Sequence, residues 1–277
     1  MTTLPCHITW NPDVSPFSIG DFEIRYYSIC WVVAIGVGYL IMHHLYKKQG
    51  KNEALFEPLF MYCFLGILLG ARLGHCLFYE PQYYLSSVSN FFEMLLPIKI
   101  TNSGWHFTGY QGLASHGGTI GLFLGLLAYS SKYKVHFTWL LDNIAITTPI
   151  SAAFIRLGNF MNSEILGCAT DSPLGIIFLQ HDNVPRHPAQ LYEAIAYLVF
   201  FVVGWIIYRR YPKKVGTGFF FGYCLATIFT FRFFVEFLKE VQVEFEESMI
   251  LDMGQLLSIP FIVIGIYSMV KSINKVA

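Results

Sequence analysis

Residues 151–167 read SAAFIRLGNFMNSEILG, and this stretch contains the two properties that decide the fold. Its first half is apolar enough for a membrane helix, yet Arg156 stands inside it. An arginine at membrane depth costs at least about 2.5 kcal/mol. Such a residue persists where it pairs internally, lines a wet cavity or binds an anion. The stretch therefore predicts a membrane helix that leads into a polar site.

Three further arginines, Arg25, Arg72 and Arg232, lie inside or at the edge of other apolar stretches. The 277 residues are 55% hydrophobic and 13% charged, with a mean hydropathy of +0.50. Soluble domains carry about 25% charged residues. The composition therefore indicates an integral membrane protein with an anion-handling interior, and the formal net charge of +0 argues against nucleic acid as a partner.

Seven apolar segments reach the length of about 17–25 residues that crosses a bilayer as a helix. They lie at about 22–46, 54–79, 116–133, 139–158, 189–208, 216–238 and 254–271. We therefore predict an all-α integral membrane protein, a single polytopic domain over residues 1–277 with seven transmembrane helices. The long connections at about 80–115 and 159–188 are expected to form a small head on one side.

The basic residues predict the orientation. Eleven of the 18 Lys and Arg lie in the turns after spans one, three and five or in the C-terminal tail, and three lie on the other side. Cytoplasmic loops carry the excess of Lys and Arg. We expect a periplasmic N-terminus, a cytoplasmic C-terminus and a periplasmic head. The first 18 residues contain no Lys or Arg, so no cleavable signal peptide is expected.

The six cysteines predict neither a disulfide framework nor a metal site. They show no CxxC and no ligand-like spacing. Four of them lie in apolar runs, where cysteine behaves as a small hydrophobic residue.

The end of span four carries a dense polar group. Arg156 and Asn159 are three residues apart and share a helix face if the helix persists, and Asn162 continues that face. Glu164 follows closely. A guanidinium beside two carboxamides suits a phosphate or a carboxylate. The alternative is a structural cap at a helix end, but the polar density exceeds what a span end needs.

Span six contains a second charged pair, Arg232 and Glu236, at the i,i+4 spacing of helical neighbours. Among phenylalanines such a pair is costly unless further hydrogen bonds support it. It is either a structural ion pair that fixes the bundle or a device by which Glu236 orients Arg232 toward a ligand.

The sequence His116-Gly117-Gly118 begins span three. The two glycines are expected to leave backbone N–H groups open at a helix N-terminus, which favours an anion. Histidine also accepts a proton near neutral pH. The alternative is a cap or a packing role. Glycines at four-residue spacing on spans two and three predict close helix packing; they are Gly66, Gly70, Gly74, Gly117, Gly121 and Gly125.

Residues 186–193, RHPAQLYE, begin span five with another polar cluster. Structural and functional roles are equally open for its candidate residues, which are His187, Gln190, Tyr192 and Glu193. Gln190 and Glu193 share a helix face near the positive helix end. Arg72 on span two either snorkels or pairs internally. Tyr27 is an interfacial or a cavity residue. We keep all of them as candidates for substrate binding.

Several segments in this order resemble the prolipoprotein diacylglyceryl transferases of bacterial inner membranes. They are FSIG with the Tyr-Tyr pair, FLGxxLGARLG, HGGTIG, RLGNFMNSEILG, RHPAQLYE, FRFFVEF and MGQLLSIP, and they cover nearly the whole chain. RxGNFxNxExxG is the most specific. The resemblance departs at Ile155, where a glycine often precedes the signature arginine, and at Ile228, where some relatives have a tyrosine.

The resemblance implies an activity, a fold and a location. The diacylglyceryl group of phosphatidylglycerol is transferred to the lipobox cysteine thiol of a preprolipoprotein signal peptide. A thioether forms, glycerol phosphate leaves, and no metal or soluble cofactor takes part. The implied fold is a seven-span bundle of the inner membrane with a periplasmic head.

The resemblance also implies roles for single residues. Arg156 and Arg232 correspond to the phosphate-binding arginines, and His116 to the base for the cysteine thiol. The remaining matches are to the signature segment and the cavity lining; they are Asn159, Asn162, Glu164 and Gly167, then Tyr27 and Glu236.

Three other functions compete with this interpretation. A lipid transporter or flippase also buries arginines, but it predicts pseudo-symmetric halves, which the sequence does not show. An intramembrane protease needs a GxSxG with a histidine or paired aspartates within spans, and neither pattern is present. A structural lipid-binding protein would not need His116 beside two arginines.

Overall fold

The computed structural model describes residues 7–19, 22–101, 104–108, 112–240 and 249–273. Within these ranges the protein is mostly helical, as predicted, with nine α-helices. They are α1 (Tyr26–Lys48), α2 (Phe56–Phe78), α3 (Pro81–Tyr84), α4 (Val88–Leu95), α5 (Ser115–Tyr133), α6 (Phe137–Met161), α7 (Ala189–Arg210), α8 (Phe219–Glu236) and α9 (Met253–Ile273).

Short strands, which the hydropathy pattern did not predict, occur before α1 and in the long connections. They are β1 (Ile8–Trp10), β2 (Phe17–Ile19), β3 (Phe22–Ile24), β4 (Ile98–Thr101), β5 (Gly104–Phe107), β6 (Ile176–Phe178) and β7 (Pro185–Arg186). β2 pairs with β3, and β4 with β5, both antiparallel. β6 lies between β1, its parallel partner, and the antiparallel β7.

Six helical segments of the described chain are long and apolar enough to cross a membrane. They are Tyr26–Lys48, Glu53–Phe78, Phe137–Met161, Ala189–Arg210, Phe219–Glu236 and Met253–Ile273. Only 17% of the most apolar part of the first is buried. Apolar helix surface left this open is suited to lipid. The chain is therefore a multi-pass membrane protein.

The predicted third span coincides with α5, which is helical over 19 residues but is not among these six segments. Its glycines and serines make it less apolar than the other long helices. The count of seven spans and the periplasmic head therefore stay predictions.

The chain divides into two compact units. The first unit contains Met1–Leu45 and Leu141–Ala277, and the second contains Tyr46–Leu140. The single-domain organisation remains a prediction. Of the cysteines, Cys6 lies outside the described residues, and the others are free thiols.

Two predicted span boundaries are wrong for local reasons. Span one was expected from residue 22, but 22–24 form β3, which pairs with β2, and α1 begins at Tyr26. Span six was expected from residue 216, but α8 begins at Phe219 because Gly216 and Gly218 have φ values of 91° and 92°. Glycine adopts this left-handed conformation without the penalty that a Cβ causes.

The start of α8 is fixed by a buried carboxylate on α6. Asp142 is fully buried and accepts hydrogen bonds from the backbone N–H groups of Gly216, Gly218 and Phe221 at 2.8–2.9 Å. A helix N-terminus has unpaired N–H groups and a partial positive charge, and this carboxylate satisfies both. In the first unit, Asp142 thus ties α6 to the helix that carries Arg232.

A small apolar core anchors the connection after α6. Phe160, Leu166, Ile176 and Phe178 form it, and the Trp10 ring packs on Phe160 with ring centroids 4.5 Å apart. The Trp10 indole N–H also donates to the Phe160 carbonyl at 3.2 Å. The β1–β6 pair therefore holds the chain in place directly after Arg156 and Asn159.

In the second unit, glycines bring α2 and α5 into backbone contact, as the spacing predicted. A Cβ on Gly70 would lie 2.7 Å from the Gly121 Cα atom, and a Cβ on Gly74 would lie 2.8 Å from the Gly117 Cα atom. A Cβ on Gly121 would clash with the Gly66 carbonyl oxygen. Small residues at such positions let helices approach until their backbones touch.

We expect Gly121→Val to destabilise the protein by about 1–3 kcal/mol because the valine overpacks this interface. Thermal unfolding of the purified protein in detergent measures the change. Gly36→Val is the matched control, since a Cβ at Gly36 meets nothing within 4 Å. Equal melting temperatures for the two variants would contradict this account of the helix contact.

Candidate active site

In the first unit, the predicted polar residues of α6 and α7 meet at a fully buried carboxylate. The Arg156 Nε and Glu193 Oε2 atoms are 3.1 Å apart, and the Glu193 side chain is 0% exposed. The Tyr197 hydroxyl donates to Glu193 Oε1 at 3.2 Å. A buried ion pair is stable only with such supporting contacts. Glu193 therefore holds the Arg156 guanidinium in one position.

Lys239, three residues after Glu236, joins this pair to the acidic residue of α8. Its Nζ atom lies 3.4 Å from Glu193 Oε1 and 3.0 Å from Glu236 Oε2, and its side chain is only 3% exposed. Charges thus alternate from Arg156 through Glu193, Lys239 and Glu236 to Arg232. We call these five residues the charge chain.

Arg232 is the open end of the charge chain. Its Nε atom is 4.0 Å from Glu236 Oε2, and its side chain is 37% exposed, against 16% for Arg156. Among the described residues, this Nε has no hydrogen-bond acceptor although it is buried. A guanidinium that offers unused donors is suited to bind a phosphate or a carboxylate.

The signature segment folds into a tight turn after α6. Asn159 donates to Glu164 Oε2 at 3.3 Å, and Asn162 donates to Glu164 Oε1 at 3.0 Å. Arg156 Nη1 donates to the Asn159 side-chain oxygen at 3.4 Å. The structure therefore brings all four candidates together, although Asn162 lies beyond the helix end at Met161 and does not continue its face.

The turn itself is strained. Ser163 and Ile165, which flank Glu164, have φ values of 52° and 57°. Non-glycine residues rarely adopt this conformation, which is disfavoured most strongly for β-branched side chains. Strain of this kind collects at functional sites, where the surrounding structure holds it in place.

Residues of the RHPAQLYE segment support the same turn. Gln190 is fully buried and donates from Nε2 to the Glu164 carbonyl oxygen. A Cβ on Gly167 would lie 2.5 Å from the His187 carbonyl oxygen, so only glycine fits. His187 Nδ1 lies 3.2 Å from the Tyr192 hydroxyl, within hydrogen-bond distance. These contacts give Gly167, His187 and Gln190 a supporting role in the site.

Arg186 closes the loop beside this turn. Its Nη2 donates to Asp182 Oδ2 at 2.6 Å, and its Nη1 lies 3.1 Å from Glu240 Oε1. The hydrogen bond from Arg186 lowers the pKa of the Asp182 carboxyl below its usual value. Arg186, the first residue of the RHPAQLYE segment, thus links the 159–188 connection to the chain after α8.

Tyr27 lies against the signature helix. A Cβ on Gly158 would be 2.9 Å from the Tyr27 Cδ2 atom, so the ring packs where α6 has no side chain. The Tyr27 ring therefore contacts α6 two residues after Arg156. Its candidate contact with substrate stays a prediction.

The His116 group belongs to the second unit. His116 is exposed in the first turn of α5, whereas Gly117 and Gly118 are buried against α2. The Gly118 N–H donates to the Ala114 carbonyl at 3.0 Å. The expectation that this N–H is open to an anion is wrong, because α5 already begins at Ser115 and uses it in the helix ladder.

Arg72, also in the second unit, pairs internally. Its Nη2 donates to the Glu93 carbonyl at 2.8 Å and to the Tyr84 hydroxyl at 3.2 Å, and its Nε donates to the Met94 carbonyl at 3.3 Å. A cation there satisfies carbonyls in the last turn of α4. Arg72 also lines a cavity of about 240 Å³, and its contact with substrate stays a prediction.

Lys239 is a site residue that the sequence alone did not predict. The structure buries its side chain between two glutamates, Glu193 and Glu236. Its i,i+3 spacing from Glu236 was the available signal. No local sequence pattern indicated the contact with Glu193, which lies 46 residues away in the sequence.

Comparison with known proteins identifies relatives over nearly the whole chain. The model of the family described as prolipoprotein diacylglyceryl transferase matches residues 15–271. A phosphatidylglycerol–prolipoprotein diacylglyceryl transferase of Bacteroides fragilis is 55% identical over 270 residues, which cover 97% of this chain and 96% of the relative. Proteins of the same name from Tolumonas auensis and Porphyromonas gingivalis are each 38% identical, over 97% and 99% of this chain and 98% and 97% of theirs.

Proposed function

The chain belongs to the prolipoprotein diacylglyceryl transferase family, and on this basis we propose that it transfers the diacylglyceryl group of phosphatidylglycerol to a prolipoprotein. The acceptor is the lipobox cysteine thiol of the signal peptide. The products are a thioether-linked peptide and glycerol phosphate. The relatives' names support the transferase and do not support the alternative of a lipid transporter.

The Arg232 guanidinium is the observation that supports the proposal most strongly, because its buried Nε has no hydrogen-bond acceptor among the described residues. It lies at the end of the charge chain, and within the described ranges its nearest carboxylate oxygen is Glu236 Oε2, 4.0 Å from Nε. The phosphodiester of phosphatidylglycerol carries one negative charge and fits this position as the missing counter-ion. Arg156, held by Glu193, would contact the same phosphate with its remaining donors.

These arginines are expected to stabilise the transition state of the reaction more than the bound substrate. The cysteine sulfur forms a bond to the terminal glyceryl carbon while the bond from that carbon to the phosphate oxygen breaks. The electron pair of the broken bond stays on the phosphate, so negative charge grows there. Fixed cations in a site of low dielectric constant stabilise that growing charge more than they stabilise the ground state.

The attacking group is the thiolate, so the thiol proton must leave. We propose that His116 accepts it. We expect His116→Asn to lower kcat about 100-fold, the lower end of the range for general bases. The rate of this variant should increase toward alkaline pH, because the substrate thiol then ionises without a base.

The exposed His106 of β5 provides the matched control, and His106→Asn should retain wild-type rates. A His116→Asn enzyme with wild-type kcat and an unchanged pH profile would contradict a base role. It would leave His116 as a residue that only orients substrate.

The proposed setting is the bacterial inner membrane, with the N-terminus in the periplasm and the C-terminus in the cytoplasm. The basic turns that predict this orientation include the one after α7, where Arg209 and Arg210 precede Lys213 and Lys214. The long connections would then meet signal peptides on the periplasmic side. Single-cysteine labelling with an impermeant reagent in spheroplasts tests this orientation.

A transfer assay tests the proposed function. Purified protein in detergent receives phosphatidylglycerol and a synthetic lipobox peptide, and mass spectrometry follows the peptide. The expected result is a mass gain of one diacylglyceryl group, which is absent when serine replaces the peptide cysteine. Folded wild-type protein that moves labelled lipid across liposomes but never modifies the peptide would favour the transporter.

A further inference from the structure

Lys239 and Arg232 compete for the same carboxylate, that of Glu236. The Glu236 Oε2 atom is 3.0 Å from Lys239 Nζ and 4.0 Å from Arg232 Nε. The same oxygen therefore has two candidate partners on one segment of the chain, and the shorter distance belongs to lysine. From this geometry we infer that Lys239 is a positioning residue: it holds Glu236 and so leaves the Arg232 guanidinium available to the phosphate of the lipid substrate.

The burial of the three residues supports this assignment. The side chain of Lys239 is 3% exposed and that of Glu236 is 12% exposed, whereas that of Arg232 is 37% exposed. An ion pair withdrawn from water is stronger than one at an open edge. Glu236 thus stays with the buried partner, and the more exposed guanidinium keeps donors for a ligand.

A second contact fixes the Lys239 ammonium. Its Nζ atom also lies 3.4 Å from Oε1 of the fully buried Glu193, whose other oxygen faces Arg156. Two carboxylates thus hold the ammonium from two sides, which keeps it beside Glu236. Glu193 therefore anchors the ammonium beside Glu236, and the effect of Lys239 on Arg232 passes through Glu236.

Glu236 has a further contact, with the first turn of α9, that does not involve Arg232. A Cβ on Gly254 would lie 2.6 Å from Glu236 Oε1, so the carboxylate rests against the first turn of α9. Helix N-termini stabilise negative charge. Glu236 is thereby held from the side of α9 as well as by Lys239, and neither contact uses Arg232.

Without the ammonium, Glu236 and Arg232 are left as i,i+4 neighbours on α8 with no competing cation. Such a pair closes readily on a helix face. The lipid phosphate would then have to displace Glu236 before it binds. The inference rests on the proposed function, and its consequence is weaker binding of phosphatidylglycerol rather than slower chemistry at saturation.

A double-mutant cycle tests this consequence. Lys239→Met is expected to raise both the KM and the equilibrium dissociation constant for phosphatidylglycerol about tenfold, the effect of one lost charge-assisted hydrogen bond. Saturated kcat should change less than about threefold, since the chemical groups remain. In the Glu236→Gln background, the same lysine substitution should change both constants less than about threefold, because no competing charge remains.

Two conservative variants make the test independent of misfolding. Lys239→Arg keeps the charge and should retain both constants within about threefold of wild type. If Lys239→Met fails to fold, Lys239→Gln takes its place in the cycle, since it keeps hydrogen-bond donors without the charge. Lipid binding is measured with radiolabelled phosphatidylglycerol in detergent, so the result does not depend on turnover.

The outcomes separate the inference from the proposed function. If Lys239→Met costs the same affinity in the wild-type and the Glu236→Gln backgrounds, Lys239 is a merely structural residue and the inference is overturned. An unchanged affinity in Lys239→Met alone would overturn it as well. Wild-type protein that binds the lipid but transfers nothing would overturn the proposed function alone.

Discussion

Replacing Arg232 with alanine is expected to lower kcat/KM for diacylglyceryl transfer about 1,000-fold. Its guanidinium is the most exposed cation of the charge chain, and Glu236 Oε2, the nearest carboxylate oxygen in the part of the chain that the structure describes, is 4.0 Å away. The substitution therefore removes the group best placed to meet the charge that grows on the leaving phosphate. Initial rates of peptide lipidation at varied phosphatidylglycerol concentration measure the effect.

Two variants sharpen the Arg232 experiment. Arg209→Ala removes an exposed arginine from the last turn of α7 and should keep wild-type rates. Arg232→Lys keeps the charge but loses the planar pair of donors, so an intermediate rate is expected. Activity of folded Arg232→Ala within tenfold of wild type would contradict the assignment of this residue to the phosphate.

Replacing Glu193 with alanine is expected to reduce the free energy of unfolding by about 3–5 kcal/mol. Glu193 is fully buried and faces Arg156 on one oxygen and Lys239 on the other. Its loss leaves two buried cations without their shared counter-ion. Unfolding in mixed micelles, followed by circular dichroism, measures the change, and transfer activity should fall with it because Arg156 loses its orientation.

Glu23→Ala is the control for this prediction. Glu23 lies on β3 and makes an exposed hydrogen bond with Ser15 at 3.2 Å, so its removal should change stability by less than about 0.5 kcal/mol. The paired variant Glu193→Gln with Lys239→Met removes both charges and should recover part of the loss. Equal stability of Glu193→Ala and Glu23→Ala would show that the charge chain is not needed for folding.

The membrane fold follows largely from local sequence. Each of the six segments confirmed as apolar and long enough coincides with a predicted span, because hydropathy over about 20 residues reflects a property of the segment itself. The glycine spacing likewise predicted the contact of α2 with α5. The predicted span starts at 22 and 216 were wrong because strand pairing and glycine φ values determine where α1 and α8 begin. Hydropathy reflects neither property.

The candidate site was predictable where its residues are close in sequence. Sequence spacing alone predicted that Arg156, Asn159 and Glu164 form one cluster. The structure brings these residues together. The pairing of Arg156 with Glu193 joins α6 to α7 across 37 residues of sequence and required the fold. Lys239 was missed for the same reason, since its two carboxylates come from different helices.

The most direct test of the account is to determine which bond of phosphatidylglycerol breaks in the reaction. A single turnover is run in water labelled with oxygen-18, and the released glycerol phosphate and the modified peptide are both quantified by mass spectrometry. The account predicts one glycerol phosphate for each thioether formed, with no oxygen-18 in the phosphate, because sulfur attacks carbon. Labelled glycerol phosphate released together with free diacylglycerol, and no peptide thioether, would contradict it.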